Sequence, residues 1–205
     1  RNGFLKALED AGYKDGENLK IEYQNAQGDQ AVAQSIAESF VSDSKDLILA
    51  IATPTAQAAY NATKEIPVLI TAVTDPIQAG LAKSLEKSET NVTGTSDATP
   101  IDKQFALIRE LLPESKKVGI VYNTSELNSE VQVAQAKVIA QKYGLELVIK
   151  GVTSVNDLAQ VLDSLLKEVD VLYTPTDNLI VSATPLVVKK AMEKGKAVVS
   201  ANKKM

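Results

Sequence analysis

With 205 residues and 44% hydrophobic content, the chain can bury one large core or two small ones. A net charge of −4 and a pI near 5.0, with no basic block, argue against nucleic acid or an anionic membrane surface as a partner. Zero Cys and zero His exclude thiol nucleophiles, the usual zinc sites, Ser-His triads and imidazole bases, so neither a cofactor nor a metal is expected.

In chain order, Phe4, Leu5, Leu8 and Ala11 share one face of a helix closed by Gly12. That helix starts without a cap, so a preceding strand is expected to be missing. Residues 19–23 alternate with period two and predict a strand, followed by a polar loop and an amphipathic helix over 30–40. Apolar runs at 46–52 and 66–73 predict buried strands, with a helix from Pro54 between them. Residues 92–97 predict a last short strand of this half, and after Pro100 a helix runs to Leu112. The pattern then restarts: strand 118–122, helix 130–143 closed by Gly144, strand 145–149, helix 155–167, strand 169–173, helix 179–194 and strand 197–200. Strands alternating with helices imply right-handed crossovers and parallel sheets. The expectation is an α/β protein of two Rossmann-like lobes, residues 1–97 and 98–205, joined near Ser96 to Pro100. The second half has an opening strand that the first lacks, and the chain stops just after its last strand. Both ends therefore read as truncated.

One tripeptide is written twice. Thr53-Pro54-Thr55 and Thr174-Pro175-Thr176 each follow a β-rich run and precede helix formers, which describes a strand feeding into a helix with Thr as cap and Pro in the first turn. The first amides of such a helix are unpaired and partly positive, and open α/β sheets bind ligands at that end. The other strand ends carry similar polar groups: Thr74 and Asp75, Ser96 and Asp97, Asn123 with Glu126 and Asn128, and Thr176 with Asp177 and Asn178. Each of these residue types is also a favoured cap or turn residue, so any single one is explained without a ligand. Clusters at five strand ends are expected to line one cleft, where carboxylates hold an ammonium and hydroxyls with helix amides hold a carboxylate. Tyr60, Tyr122 and Tyr173 lie nearby, and stacking on a flat ligand or filling the core are both open to them. No glycine-rich phosphate loop is present, and no apolar run approaches the roughly 20 residues that span a bilayer.

Several of these stretches together resemble one family. They are Asn25-Ala26-Gln27-Gly28-Asp29, Ile51 to Ala58, Ala72-Val73-Thr74-Asp75-Pro76, Asn91 to Asp97, Tyr122-Asn123, Glu126-Leu127-Asn128-Ser129 and Tyr173 to Asn178. The chain is similar to ABC-transporter substrate-binding proteins of the tryptophan/tyrosine type, which are themselves like type I periplasmic binding proteins. The resemblance implies capture of an amino acid, aromatic by class, outside the cytoplasm and its delivery to a membrane permease. It also implies a cell-surface lipoprotein or a periplasmic location, and no enzymatic activity. The alternative is a ligand-sensing effector domain of a regulator or receptor with the same fold.

Overall fold

Short, largely apolar and β-branched runs seed two separate parallel sheets in the computed structural model, which describes residues 1–202. In the first sheet β1 (Ile48–Ile51), β2 (Val68–Val73) and β3 (Val92–Ser96) pair in that order, with Ile48 opposite Val68 and Val68 opposite Val92. In the second, β4 (Lys117–Asn123), β5 (Glu146–Val152), β6 (Val171–Thr174) and β7 (Ala197–Ser200) lie in the order β5-β4-β6-β7. Every pairing is parallel, as the alternation of strands and helices requires.

The helices are α1 (Asn2–Asp10), α2 (Gln30–Ser42), α3 (Thr53–Ala62), α4 (Ile101–Leu111), α5 (Leu127–Lys142), α6 (Val155–Leu165), α7 (Asn178–Ser182) and α8 (Thr184–Glu193). In the second lobe they cover both faces of the sheet. Leu158, Leu162 and Leu165 of α6 join Val187 and Ala191 of α8 on one side. Phe105 and Ile108 of α4 join Val133, Ala136 and Ala140 of α5 on the other. In the first lobe Ala56 and Ala59 of α3 pack with Ile48, Ala50, Val68 and Ile70, and Phe40 of α2 leans on the same cluster. Helix α1 buries none of its residues. The architecture is thus α/β, two Rossmann-like lobes with parallel sheets.

Three details differ from the sequence reading. Residues 19–23 form no strand: apart from one bridge between Asp15 and Leu19, nothing among the described residues lies beside them to complete a ladder. Ile21 and Tyr23 are exposed, and Glu22 pairs with Lys45 at 2.6 Å instead. The helix expected over 179–194 is two helices, α7 and α8, broken at Ala183. Pro185 has no N–H and its ring opposes a carbonyl one turn back, so it sits in the first turn of a new helix. Thr53 does not cap α3 either. It is the first helical residue, and Ala52 is the cap, held at φ 80° and ψ 156°, a region almost reserved for glycine.

Candidate functional site

The carboxyl ends of β1 and β2 in one lobe face those of β4 and β6 in the other. Between them lies a cavity of about 100 Å³, lined by Thr53, Ala72, Thr74 and Asp97 from the first sheet's side. From the second come Asn128, Thr176, Asp177, Asn178, Val181 and Asn202. Thr74 and Thr176 join the two sides directly, hydroxyl to hydroxyl at 3.1 Å. Gln30 of α2 also reaches across to the carbonyl of Ser125.

The local chain explains how each side chain arrives there. Helix α5 starts three residues earlier than its apolar periodicity indicates, which puts Asn128 and Ser129 in its first turn and Gln132 one turn on. Gln132 is 1% exposed and its carboxamide is fully occupied. It donates to the Thr176 hydroxyl and, at 3.1 Å, to the Asn128 carbonyl, and it accepts from the Thr176 amide at 3.1 Å and the Thr99 hydroxyl at 3.2 Å. Thr176 is thereby pinned at the cavity edge although no helix follows directly from the second Thr-Pro-Thr.

Two acids are buried here, Asp177 in the wall itself and Glu126 behind it. Glu126 accepts from the side chains of Asn123, Asn128 and Asn178 and from the backbone amides of Asn178 and Leu179. It thus satisfies the first two free amides of α7. Asp177 has no exposure and caps the same helix, its Oδ1 accepting from the Ile180 amide at 2.9 Å. Its Oδ2 accepts from the Asn123 amide at 2.6 Å and the Ser129 hydroxyl at 2.7 Å. Burial pushes the Asp177 carboxyl above its ordinary range, and the Glu126 charge adds to this. The amides of Asn123 and Ile180 and the Ser129 hydroxyl pull the other way.

Of the residues singled out from sequence, Thr53, Thr74, Asp97, Asn128, Thr176, Asp177 and Asn178 line the cavity. Thr55, Asp75, Ser96, Asn123 and Glu126 do not. The Thr55 hydroxyl donates back to the carbonyls of Ile51 and Ala52. Asp75 accepts from the amides of Ile77 and Gln78 and so closes a turn, while Ser96 is exposed at the end of β3. Asn123 lies beneath the cavity wall with Glu126. None of the three tyrosines lines it. Tyr173 is wholly buried against Phe105, ring centroids 5.2 Å apart, with its hydroxyl on Gln104. Tyr122 bonds Glu130, and Tyr60 lines a separate hollow of about 410 Å³ on the α2–α3 face.

Two buried polar atoms at the cavity have no partner: the Thr53 hydroxyl and Oδ1 of Asn128. The acidic cleft residues, the unpaired hydroxyl at a helix start and the unpaired amide oxygen can hold a small polar molecule carrying both charges. No group of acids able to hold a metal ion occurs among the described residues.

The family model for the ABC transporter substrate binding protein matches residues 1–205. The chain belongs to this family. The chain is 58% identical over 193 residues to a "Tyrosine-binding protein" from Clostridioides difficile, covering 94% of this chain and 56% of that protein. It thus spans little more than half the length of that curated relative. A Streptococcus pneumoniae ABC domain solved in complex with L-Trp is 38% identical and superposes with a TM-score of 0.95, over 100% of this chain and 69% of that one. A ligand-free, open structure of a Clostridium difficile substrate-binding protein is 55% identical, yet its TM-score is 0.65, over 98% of this chain and 68% of that one. A leucine-binding protein from Thermotoga maritima, at 14% identity and a TM-score of 0.72, shares the fold, that of type I periplasmic binding proteins.

Sequence reasoning missed Ala72, Val181 and Asn202 on the wall of this substrate-binding protein's cavity, and Gln132 behind it. Only Gln132 left a trace: it follows Asn128 by four positions, the spacing that stacks two side chains on one helix face.

Proposed function

We propose that the chain binds an amino acid, aromatic by class, in the cleft between its two lobes and serves as the capture component of an ABC importer. The lobes are residues 1–97 and 98–205, hinged at the link between β3 and α4. The observation that carries this reading is the cavity itself, since both lobes contribute polar groups to it and Thr74 meets Thr176 across it. Closure of two lobes around a ligand is a standard hinge motion. The chain superposes far better on the L-Trp complex than on the open, ligand-free relative of higher identity, which supports a closed arrangement. The aromatic class is drawn from the names of those relatives. The cavity is smaller than the roughly 300 Å³ at the lower end of small-molecule sites, so it holds the charged head of the ligand and widens for the ring.

In this reading the ligand's carboxylate meets the Thr53 hydroxyl, the first amides of α3 and Thr74. Its ammonium meets Asp97, an exposed acid with no described hydrogen bond to its carboxylate. Asp177, Asn178 and Thr176 line the floor, and Glu126 and Asn123 hold them from below. Thr55, Asp75 and Ser96 shape the strand ends. Micromolar affinity needs about −8 kcal/mol, which a few charge-assisted hydrogen bonds and a buried ring supply.

Proteins of this family act outside the cytoplasm, and no helix among the described residues is long and apolar enough to cross a membrane. We place the protein at the cell surface as a lipoprotein or in the periplasm, with a membrane permease as partner and no catalytic step. Titration with L-tyrosine, L-tryptophan, L-phenylalanine, L-leucine and ribose tests the reading by calorimetry, and the absence of Trp leaves indole emission free to report bound L-tryptophan. At least one aromatic acid is expected to bind about tenfold or more tightly than leucine. Preference for leucine or ribose would leave the binding class standing and remove the aromatic one.

A further inference from the structure

We infer that Oδ1 of Asn128 accepts a hydrogen bond from the ligand's α-ammonium group, which makes Asn128 a residue that separates amino acids from their des-amino analogues. The inference rests on the reading of the cavity as an amino-acid site and adds the atom that recognises its nitrogen. Asn128 is 4% exposed and lines the cavity. Its Nδ2 donates to the Thr176 carbonyl at 2.7 Å and to Glu126 Oε2 at 3.2 Å. A carbonyl oxygen can only accept, so the amide cannot be turned the other way round without losing that bond. The oxygen is therefore the end left over, and it is buried with no hydrogen-bond partner.

A buried acceptor without a donor is costly, and native proteins rarely keep one without a use. The cavity must supply an N–H or O–H. The surroundings favour a charged donor: the ionisable residues described on the wall are Asp97 and Asp177, with Glu126 buried behind, and no Lys or Arg lines it among the described residues. Opposite, the unpartnered Thr53 hydroxyl stands at the start of the ten-residue helix α3, an end that suits an anion. The polarity of the cavity therefore runs from a carboxylate seat on α3 to an ammonium seat on α5.

Tight spacing on α5 explains why this side chain is so firmly set. The Asn128 carbonyl accepts from Gln132, which also holds Thr176, so the residue's backbone and side chain are anchored to the same strand end. A rigid acceptor is worth more to a ligand than a mobile one, because no rotamer has to be frozen on binding.

The test compares L-tyrosine with 3-(4-hydroxyphenyl)propionic acid, which lacks the ammonium, by calorimetry on the wild type and Asn128→Leu. The wild type is expected to prefer L-tyrosine, and in Asn128→Leu the ratio of the two affinities should shrink about tenfold or more, whatever common loss follows from the lost bonds to Thr176 and Glu126. A residue that only props the wall would weaken both ligands together, and an unchanged preference overturns the inference. Should the leucine variant fail to fold, Asn128→Ser is read by the same ratio. Failure of the wild type to bind any amino acid removes the underlying reading and this one with it. Binding with a preference that Asn128 does not control removes this one alone.

Discussion

Replacing Ala52 with glycine should make the protein more stable, the reverse of what glycine does in the interior of a strand or helix. Ala52 links β1 to α3 at φ 80° and ψ 156°, and its conformation is held by three contacts: its amide on the Thr71 carbonyl at 3.0 Å, and its own carbonyl accepting from the Ala56 amide and the Thr55 hydroxyl. Keeping an L-residue in that region costs about 1–3 kcal/mol. Glycine removes the strain but adds about 0.5–1 kcal/mol of chain entropy to the unfolded state. Loss of the half-buried methyl takes away less than about 0.8 kcal/mol. The balance is a gain near about 1 kcal/mol, or a rise in Tm of about 2–4 °C for a chain of this size. Urea denaturation followed by circular dichroism reads this, with Ala50→Gly as control. Ala50 is 4% exposed inside β1, and glycine there should cost about 1 kcal/mol or more. The same strain aims Thr53 at the cavity, so Ala52→Gly should also weaken ligand binding severalfold, in the usual exchange of activity for stability. If Ala52→Gly loses as much stability as Ala50→Gly, the backbone is not strained and the reasoning fails.

Gly94→Ala should destabilise by about 3 kcal/mol or more, because an added Cβ would stand 2.0 Å from the Ile70 carbonyl oxygen and Gly94 holds φ 148°; a variant melting within a degree or two of wild type contradicts the β2–β3 register. Thr53→Val removes a buried hydroxyl that has no partner, so the unliganded protein should keep its stability or gain about 1 kcal/mol while amino-acid binding falls, and a decarboxylated amine should bind both proteins alike. Asp177 has a folded pKa raised above its unfolded value, so its contribution to stability is complete below the ordinary carboxylate range and is lost as pH rises through the raised folded value. Wild-type stability relative to Asp177→Asn should therefore increase on acidification from about pH 7 to about pH 4, whereas a constant difference would contradict it. Asp163 and Asp170, held low by Lys190 and by the amides of Lys117 and Lys116, are present in both proteins, so their own pH dependence cancels in this difference.

The order of strands and helices was legible because each carries its own periodicity, and the restart at Val118 told of two lobes. Boundaries moved where backbone chemistry outweighs pattern. The early start of α5 depends on a buried polar cluster around Glu126, which no hydrophobic period records. The break at Ala183 was written in Thr184-Pro185 but hidden inside an otherwise apolar helical run. The stretch 19–23 had a strand's alternation and no neighbour among the described residues to pair with, and a strand is a property of two segments. At the site, sequence could name strand-tip residues without telling which oxygens were already taken. Thr55 and Asp75 turned out to serve their own turns, Asn123 and Glu126 to brace the wall, and Thr53 and Asn128 to keep unpaired atoms at the cavity. Positive φ at Ala52 and Ala72 could not be read at all, since alanine gives no sign of it.

A crystal structure with L-tyrosine or L-tryptophan bound tests the central claim most directly. The account predicts density for the head group between Thr53 and Asn128, the carboxylate toward the start of α3 and the nitrogen within hydrogen-bond distance of Asn128 Oδ1 and Asp97. Ligand seated instead in the hollow beside Tyr60, or an amino group turned toward α3, would contradict it.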